Sequence, residues 1–504
     1  MSKSKRQQKQ DARAIEQAHK ILTGQVQLRY DRPKRQAQAN RIGGEDAEEL
    51  TERYMRLLGF LLPGILAMLS TVDDPRNPRK TIHSFSVLIL YGIMIFISHT
   101  PSRRAANREI GGSKISELMQ ELLPDFTTMP HADTLARLLE DIEEDVLERR
   151  FEELLKVLIK SDKFNEINPG RILVAVDGTQ KFSRSYCWDE RALSRNAGDP
   201  DKEQYYAYML ESVLIFDNGM VLPLLTEPLE NGERLDGNGK QDCETKAFKR
   251  LSGRLMKLLG KGCVTIVLDG LYASGPVMSI CRNYGWEFMI SLKRDSLKSV
   301  WEDFNGLRKI EPKNTLAAQW GDRNQVYHWS NDIYYTYGKN HTKLILNVVT
   351  CTETWYEPHR KTGKPSEKRT DYAWLSSSRI TEKNVFMLCT KIARYRWRIE
   401  NHFLVLKHQG YGYTHCYSLN WNAIKGFHSL TKFANFINAF ITCTELMAND
   451  IVAEGIKGTV KKAWEFLRTH GLPDSASGLL PGRAEANKKS SKIRFCNFKF
   501  KPAA

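Results

Sequence analysis

Hydrophobic positions recur at helical spacing through the first third of the chain. The segments EDAEELTERYMRLLGFLL, FSVLILYGIMIFISH and HADTLARLLEDIEEDVLERRFEELLKVLIK each place apolar side chains three or four residues apart. Thr134 or Asp133 stands where the N-cap of the third helix is expected. The pattern predicts an all-helical N-terminal domain over residues 45–165.

After Pro169 and Gly170 the pattern changes to short apolar runs that predict strands. RILVAVDG and VTIVLDG are two such runs, and each ends in Asp-Gly. YYAYMLESVLIFDNG and MVLPLLTEPLE are joined by Asp217-Asn218-Gly219, which is typical of a tight hairpin turn. Helices are expected at about 244–260 and at 274–284, with the strand WEFMISLKR after them. Three antiparallel strands followed by alternating helices and strands predict a ribonuclease-H-like α/β core over residues 170–305 and 371–447.

A strand-rich region separates the two parts of this predicted core. QVYHWS, DIYYTYG and TKLILNVVT predict a β-rich insertion over residues 306–370, and the charged segment 358–371 predicts a polar loop. A long helical stretch at about 382–410 and a helix at about 421–447 complete the core. Residues 448–504 form a C-terminal segment with a basic tail.

Positive charge is concentrated at the two ends of the chain. The protein has 504 residues and a formal net charge of +16. Residues 1–42 hold eleven Lys or Arg against three acids, and residues 482–504 hold seven against one. Residues 1–44 are therefore predicted to be a basic arm, and double-stranded DNA is the expected partner because neutralised phosphates release counterions.

Two apolar stretches, 57–69 and 87–97, are shorter than the roughly 20 residues that a membrane-spanning helix needs. They are expected to be buried helices, and no membrane partner is predicted. The N-terminus has no apolar signal segment, and the nine cysteines show neither zinc-ligand nor disulfide spacing. The cytoplasm is the expected location.

Acidic residues at the ends of predicted strands suggest a metal site. Asp177 and Asp269 each follow a short apolar run and precede a glycine. A single Asp-Gly is usually turn chemistry, whereas two in this order suggest carboxylates at one edge of a sheet. Glu400 lies on a predicted helix, with Arg396 and Lys407 on the same face. Carboxylate oxygens are the ligands that two Mg²⁺ ions would need for phosphodiester chemistry.

The segment from Arg396 to Lys407 resembles the Y-x2-R-x3-E-x6-K signature of the DDE transposases of bacterial insertion sequences. Arg396, Glu400 and Lys407 match its Arg, Glu and Lys, while position 393 is Ala and the nearest tyrosine is Tyr395. PHADTLARLLEDIE, VAVDGTQKFS, KQDCETKAFKR and VLDGLYA extend the resemblance. It implies that Asp177, Asp269 and Glu400 form a catalytic triad that binds two Mg²⁺ ions, for which Mn²⁺ can substitute.

The resemblance also implies what the protein does. It would bind transposon ends, cleave DNA strands, join the 3′-hydroxyl ends to target DNA and work as a homodimer on DNA. Arg396, Lys407, Arg398 and Tyr395 are the expected DNA contacts. Trp374 could stack on a displaced base or be a strand residue of the core.

Three alternatives remain open at this stage. Asp242 and Glu244 could compete as metal ligands, although neither follows a predicted strand. A non-catalytic DNA-binding protein derived from a transposase would keep the basic ends without needing the acids. A glycosidase that uses two carboxylates would not explain the basic ends.

Overall fold

The computed structural model describes residues 44–474 and 494–496, apart from 113, 162–163, 166–167, 169, 197–198, 200, 232–239 and 359–364. The predicted basic arm, except residue 44, and nearly all of the basic tail lie outside the described residues. No helix in the described part of the chain has the length and apolar content needed to cross a membrane.

Helices account for the regular structure between residues 44 and 159. They are α1 (Gly44–Leu69), α2 (Phe85–Ile97), α3 (Arg103–Glu109), α4 (Ile115–Leu122), α5 (Ala132–Asp141) and α6 (Val146–Ile159). The third predicted helix is in fact two, because Ile142 is extended with ψ of 154° and Asp145 is left-handed with φ of 63°. The N-cap of α5 is His131, whose Nδ1 accepts from the Asp133 N–H at 3.2 Å. The predicted caps, Thr134 and Asp133, were wrong because both lie inside the helix.

Ten strands of the described chain form one mixed sheet. They are β1 (Ile172–Arg184), β2 (Leu193–Arg195), β3 (Gln204–Ile215), β4 (Val221–Leu229), β5 (Val264–Leu268), β6 (Glu287–Ser291), β7 (Thr315–Trp320), β8 (Arg323–Tyr337), β9 (Thr342–Pro358) and β10 (Pro365–Ser376). The helices α7 (Glu244–Leu259), α8 (Gly275–Asn283) and α9 (Lys298–Ile310) lie between them in sequence.

The strand order is β2-β3-β1-β5-β6-β10-β9-β8-β7, and β4 also pairs with β3. β1, β5 and β6 are parallel to one another, whereas β3 and β4 are antiparallel to their partners. The predicted hairpin between β3 and β4 is confirmed: Phe216 N–H donates to the Met220 carbonyl, and Gly219 has φ of 91°. Type I′ and related turns need such a positive φ, which glycine supplies at no steric cost.

The predicted β-rich region joins the same sheet. β10 pairs with β9 along its whole length and with β6 at its end, so strands β7 to β10 extend the sheet. The predicted polar loop at 358–371 was wrong over its second half, because residues 365–371 belong to β10. Residues 365–371 are all polar apart from Pro365 and mostly exposed, so this part of the strand carries no apolar period and is held by backbone pairing with β9.

The C-terminal helices pack the sheet on to the N-terminal helices. A helical run at 385–408 contains a π-helical turn (Leu388–Ile392) and a 3-10 turn (Ala393–Arg396) before the regular helix α10 (Trp397–His408). α11 (Trp421–Thr442) is buried along nearly its whole length against α2, α5 and α6. α12 (Ala448–His470), which the sequence pattern did not predict, packs against α1. The N-terminal helices therefore share one hydrophobic core with the C-terminal helices.

Candidate active site

The two aspartates of the predicted triad lie on neighbouring parallel strands. Ala175 of β1 stands opposite Val267 of β5, so the same register continued by two places sets Asp177 beside Asp269. Asp269 directly follows β5 and caps the 3-10 turn Gly270–Tyr272, accepting from the Leu271 N–H at 2.8 Å. Asp177, by contrast, does not end its strand, because β1 continues to Arg184.

Side-chain alternation puts both aspartates on the face of the sheet that α10 covers. Ala175 and Val267 pack with Ile399 and Phe403 of α10 in one hydrophobic cluster. Residues two places further along a strand point to the same face. Asp177 and Asp269 therefore lie under the helix that carries Glu400.

Arg396 links Glu400 to Asp177. Its Nη1 lies 2.8 Å from Glu400 Oε1 and 3.8 Å from Asp177 Oδ2. The Glu400 side chain is half exposed, whereas that of Arg396 is only 12% exposed. Arg396 Nε is buried and has no hydrogen-bond partner among the described residues. One guanidinium thus holds the two carboxylates close together and keeps one N–H donor uncommitted.

Burial raises the pKa of Asp177 to about 7. The charge of Arg396 and the N–H of Gly178 act in the opposite direction, while the negative charges of Asp269 and Glu244 raise the pKa further. Negative charge at this place is therefore only partly compensated by the protein itself. A cation bound between the carboxylates would favour their ionised forms.

Glu244 is a further acid at this site. Its Oε1 accepts from the Tyr208 hydroxyl at 2.8 Å, and its Oε2 accepts from the Tyr272 hydroxyl at 2.7 Å. The sequence raised Glu244 only as a competing ligand, because it begins α7 instead of ending a strand. No pattern in the sequence links it to tyrosines 36 and 28 residues away. Asp242 instead forms an ion pair with Arg250.

Lys407 lies two turns beyond Glu400 on α10 and is half-buried. Its Nζ is 5.8 Å from the centre of the Phe403 ring. Burial lowers the pKa of Lys407, while the charge of Glu211 acts in the opposite direction. Glu211 stands directly opposite Asp177 on β3, so Lys407 belongs to the same face of the sheet as the aspartates.

Tyr395, Arg398 and Trp374, predicted to contact DNA, are held by packing. The Tyr395 ring is buried, and the guanidinium of Arg398 lies 3.5 Å from its centre while donating to the Phe216 carbonyl. Trp374 is 5% exposed and stacks on Tyr372 with ring centres 5.6 Å apart. These contacts favour the interpretation of Trp374 as a core residue, and they weigh against DNA contact by any of the three side chains. The DNA contacts of Tyr395, Arg398 and Trp374 stay predictions.

The donor set suits a hard divalent cation in its chemistry, since it consists of carboxylate oxygens. Among the described residues, however, no group of three or more His, Cys, Asp or Glu side chains is already arranged to hold a metal ion. Glu400 is paired with Arg396 and would have to leave that ion pair to join the aspartates.

Comparison with protein families adds to this geometry. Residues 244–434 match the family model "Transposase DDE domain", and residues 66–155 match the model "DDE_Tnp_1-associated". The chain belongs to the DDE-type transposases. The first match includes Asp269 and Glu400 but not Asp177. Among curated proteins, none matches the chain.

The DDE transposase assignment sets the general activity. Such an enzyme acts in transposition, its substrate is DNA, and enzymes of this type use divalent metal ions. The glycosidase alternative loses its support. The mixed α/β architecture with one large sheet is consistent with the family.

Proposed function

We propose that this transposase binds the ends of an insertion sequence, cleaves DNA strands there and joins the freed 3′-hydroxyl ends to target DNA. The observation that carries the proposal is the parallel register of β1 and β5, which sets Asp177 beside Asp269 under the helix that bears Glu400. The order β4-β3-β1-β5-β6, antiparallel in its first three strands and parallel in its last three, supports a ribonuclease-H-like catalytic core.

In this proposal Asp177, Asp269 and Glu400 are the ligands of two Mg²⁺ ions, for which Mn²⁺ can substitute. When bound, the ions activate the attacking water or 3′-hydroxyl and stabilise the leaving oxygen. Glu400 is well suited to change partners, because its side chain is half exposed.

Arg396 and Lys407 are proposed to bind phosphates near the cleaved bond. Once Glu400 turns to the metal ions, Arg396 is free to present its forked guanidinium to a phosphate, to which it can donate two hydrogen bonds. Lys407, from the adjoining helix α10, supplies a point charge. Lys407 is half-buried, and Arg396, although only 12% exposed, keeps an Nε–H that has no hydrogen-bond partner among the described residues.

The helical N-terminal domain predicted over residues 45–165 is proposed to recognise the transposon ends, and two copies of the chain are proposed to act on paired ends. Both statements rest on the resemblance of the chain to insertion-sequence transposases. The shared core of these helices with α11 and α12 supports a unit fixed firmly to the catalytic sheet.

The test replaces each acid in turn. Asp177→Ala, Asp269→Ala and Glu400→Ala should each reduce strand cleavage in Mg²⁺ by at least about a thousandfold while leaving affinity for the element's end within about threefold. Asp295→Ala is the matched control, because Asp295 is an exposed acid that follows the parallel strand β6 without joining the site. Normal nicking by one of the three variants would remove that residue from the triad. Normal nicking by all three would mean that other residues carry out the cleavage, whereas no nicking by the wild type would favour a DNA-binding role.

A further inference from the structure

We propose that Glu244 is a positioning residue that fixes the distance between the two aspartates of the active site. With Tyr208 and Tyr272 it forms a clamp, called here the Tyr–Glu–Tyr clamp, that contacts the backbone beside Asp177 and the turn that carries Asp269. The inference rests on the proposed function, since it presumes that these aspartates bind the metal ions.

One side of the clamp holds the turn of Asp269. Tyr272 is the last residue of the 3-10 turn Gly270–Tyr272, and Asp269 caps the N-terminal end of the same turn. The Tyr272 side chain is fully buried, and its hydroxyl donates to Glu244 Oε2 at 2.7 Å. A turn of three residues has little freedom once both of its ends are bound. Fixing Tyr272 therefore fixes the direction in which the Asp269 carboxylate points.

The other side of the clamp holds the strand of Asp177. A Cβ on Gly178 would lie 2.7 Å from the Glu244 carboxyl carbon and 2.5 Å from the Tyr208 ring. The missing side chain lets the clamp approach the β1 backbone directly after Asp177. Tyr208 comes from the neighbouring strand β3, which pairs with β1 on both sides of Asp177. A single carboxylate thus contacts the supports of both aspartates.

A purely local role for Glu244 is the competing explanation. An acid in the first turn of a helix is stabilised by the helix dipole, and two buried phenol hydroxyls need acceptors in any case. Asp242 offers the comparison, because it lies two residues earlier, is buried and pairs with Arg250 without contacting either aspartate's support. Positioning predicts an effect on the metal ligands that the loss of Asp242 would not produce.

The experiment titrates Mn²⁺ into the full-length protein and follows free Mn²⁺ by electron paramagnetic resonance. Glu244→Ala should weaken Mn²⁺ binding by about 10–100-fold, the usual cost of losing a residue that orients metal ligands. Glu244→Gln should stay within about threefold of the wild type, because an amide still hydrogen-bonds both hydroxyls. Tyr272→Phe, which keeps the ring packing, should weaken binding by several-fold. Asp242→Asn should lower the melting temperature and leave Mn²⁺ affinity unchanged.

A second measurement needs no metal. Hydrogen exchange of the Leu271 amide, which donates to the Asp269 carboxylate, should accelerate about tenfold or more in Glu244→Ala and Tyr272→Phe, but not in Asp242→Asn. Wild-type exchange and wild-type Mn²⁺ affinity in Glu244→Ala would overturn the inference. Equal losses of Mn²⁺ affinity in Glu244→Gln and Glu244→Ala would also overturn it, because the negative charge of Glu244, and not its hydrogen bonds to the two tyrosines, would then determine binding. If Asp177→Asn binds Mn²⁺ as well as the wild type does, the proposed function fails instead, and the exchange data still decide on the clamp.

Discussion

Replacing Asp177 with asparagine should stabilise the metal-free protein at alkaline pH. Burial raises the pKa of Asp177 to about 7, and the charges of Asp269 and Glu244 oppose its ionisation further. Asparagine has nearly the same shape, and its carbonyl oxygen can still accept from the Gly178 N–H that Asp177 Oδ1 binds at 2.9 Å. The substitution therefore removes a charge that the fold disfavours and keeps the local hydrogen bond. Active sites often carry such a cost to stability.

The size of this stabilisation follows from the linkage between proton binding and unfolding. A group whose pKa is higher in the folded than in the unfolded state contributes stability below its unfolded pKa and loses it as the pH rises through its folded pKa. For Asp177 that interval runs from 3.8 to about 7, and about 3 pH units correspond to about 4 kcal/mol. The side chain is 22% exposed, so water screens part of this cost. We therefore expect about half of this, about 2 kcal/mol, or about 2 °C for a chain of this size.

Thermal and urea unfolding in EDTA, at about pH 5 and about pH 8, measure this effect. Asp177→Asn should be more stable than the wild type at both values, and its advantage should be clearly larger at the higher pH. Asp242→Asn is the control of opposite sign, because it removes one of the two carboxylates that pair with Arg250, leaving only Glu227, and should destabilise at both values. Added Mg²⁺ should stabilise the wild type at the higher pH, by mass action, and not the variant. A variant less stable than the wild type at about pH 8, or a difference independent of pH, would refute the reasoning.

One further prediction concerns the cations Arg396 and Lys407, and another concerns a buried acid of β9. Arg396→Lys should slow single-turnover nicking by about 10–100-fold through loss of a charge-assisted hydrogen bond, whereas Lys407→Arg should stay within about tenfold. An Arg396→Lys protein that melts lower but cuts at the wild-type rate would show that Arg396 only steadies Glu400. Glu353→Gln should lower the free energy of unfolding by about 3–5 kcal/mol, because the fully buried Glu353 pairs with two buried arginines, 323 and 394. Unchanged urea unfolding would contradict that expectation.

Sequence periodicity predicted most of the elements where apolar spacing is regular. The helices α1 and α2, the hairpin at Asp217-Asn218-Gly219 and the strands β5 and β6 lie close to their predicted places. α12 was missed because its apolar face is narrow and interrupted by Gly455, where φ is 74°. The first half of β10 was missed because strands that face solvent on both sides need no apolar period. Both errors arise where tertiary pairing, and not local pattern, determines the structure.

The sequence predicted those acids of the candidate site that belong to the strands β1 and β5 or to the helix α10 that covers them. Asp177 and Asp269 stood out because each follows an apolar run, and Glu400 because its neighbours matched a signature. Their convergence depends on the register of β1 and β5, which a sequence pattern does not determine. The motif also hid an irregularity, since Arg396 lies at the end of a 3-10 turn and still reaches Glu400.

Gly178 illustrates the limit of the strand-end argument. The sequence pattern predicted that the first strand ends at Asp177-Gly178. The strand instead runs straight through this position, and the glycine is needed because Glu244 and Tyr208 approach its α-carbon. A search for acids at strand ends finds residues of the sheet itself, such as Asp177 and Asp269. Glu244 escapes such a search, because it approaches the backbone of Gly178 from the opposite face of the sheet, where glycine has no side chain.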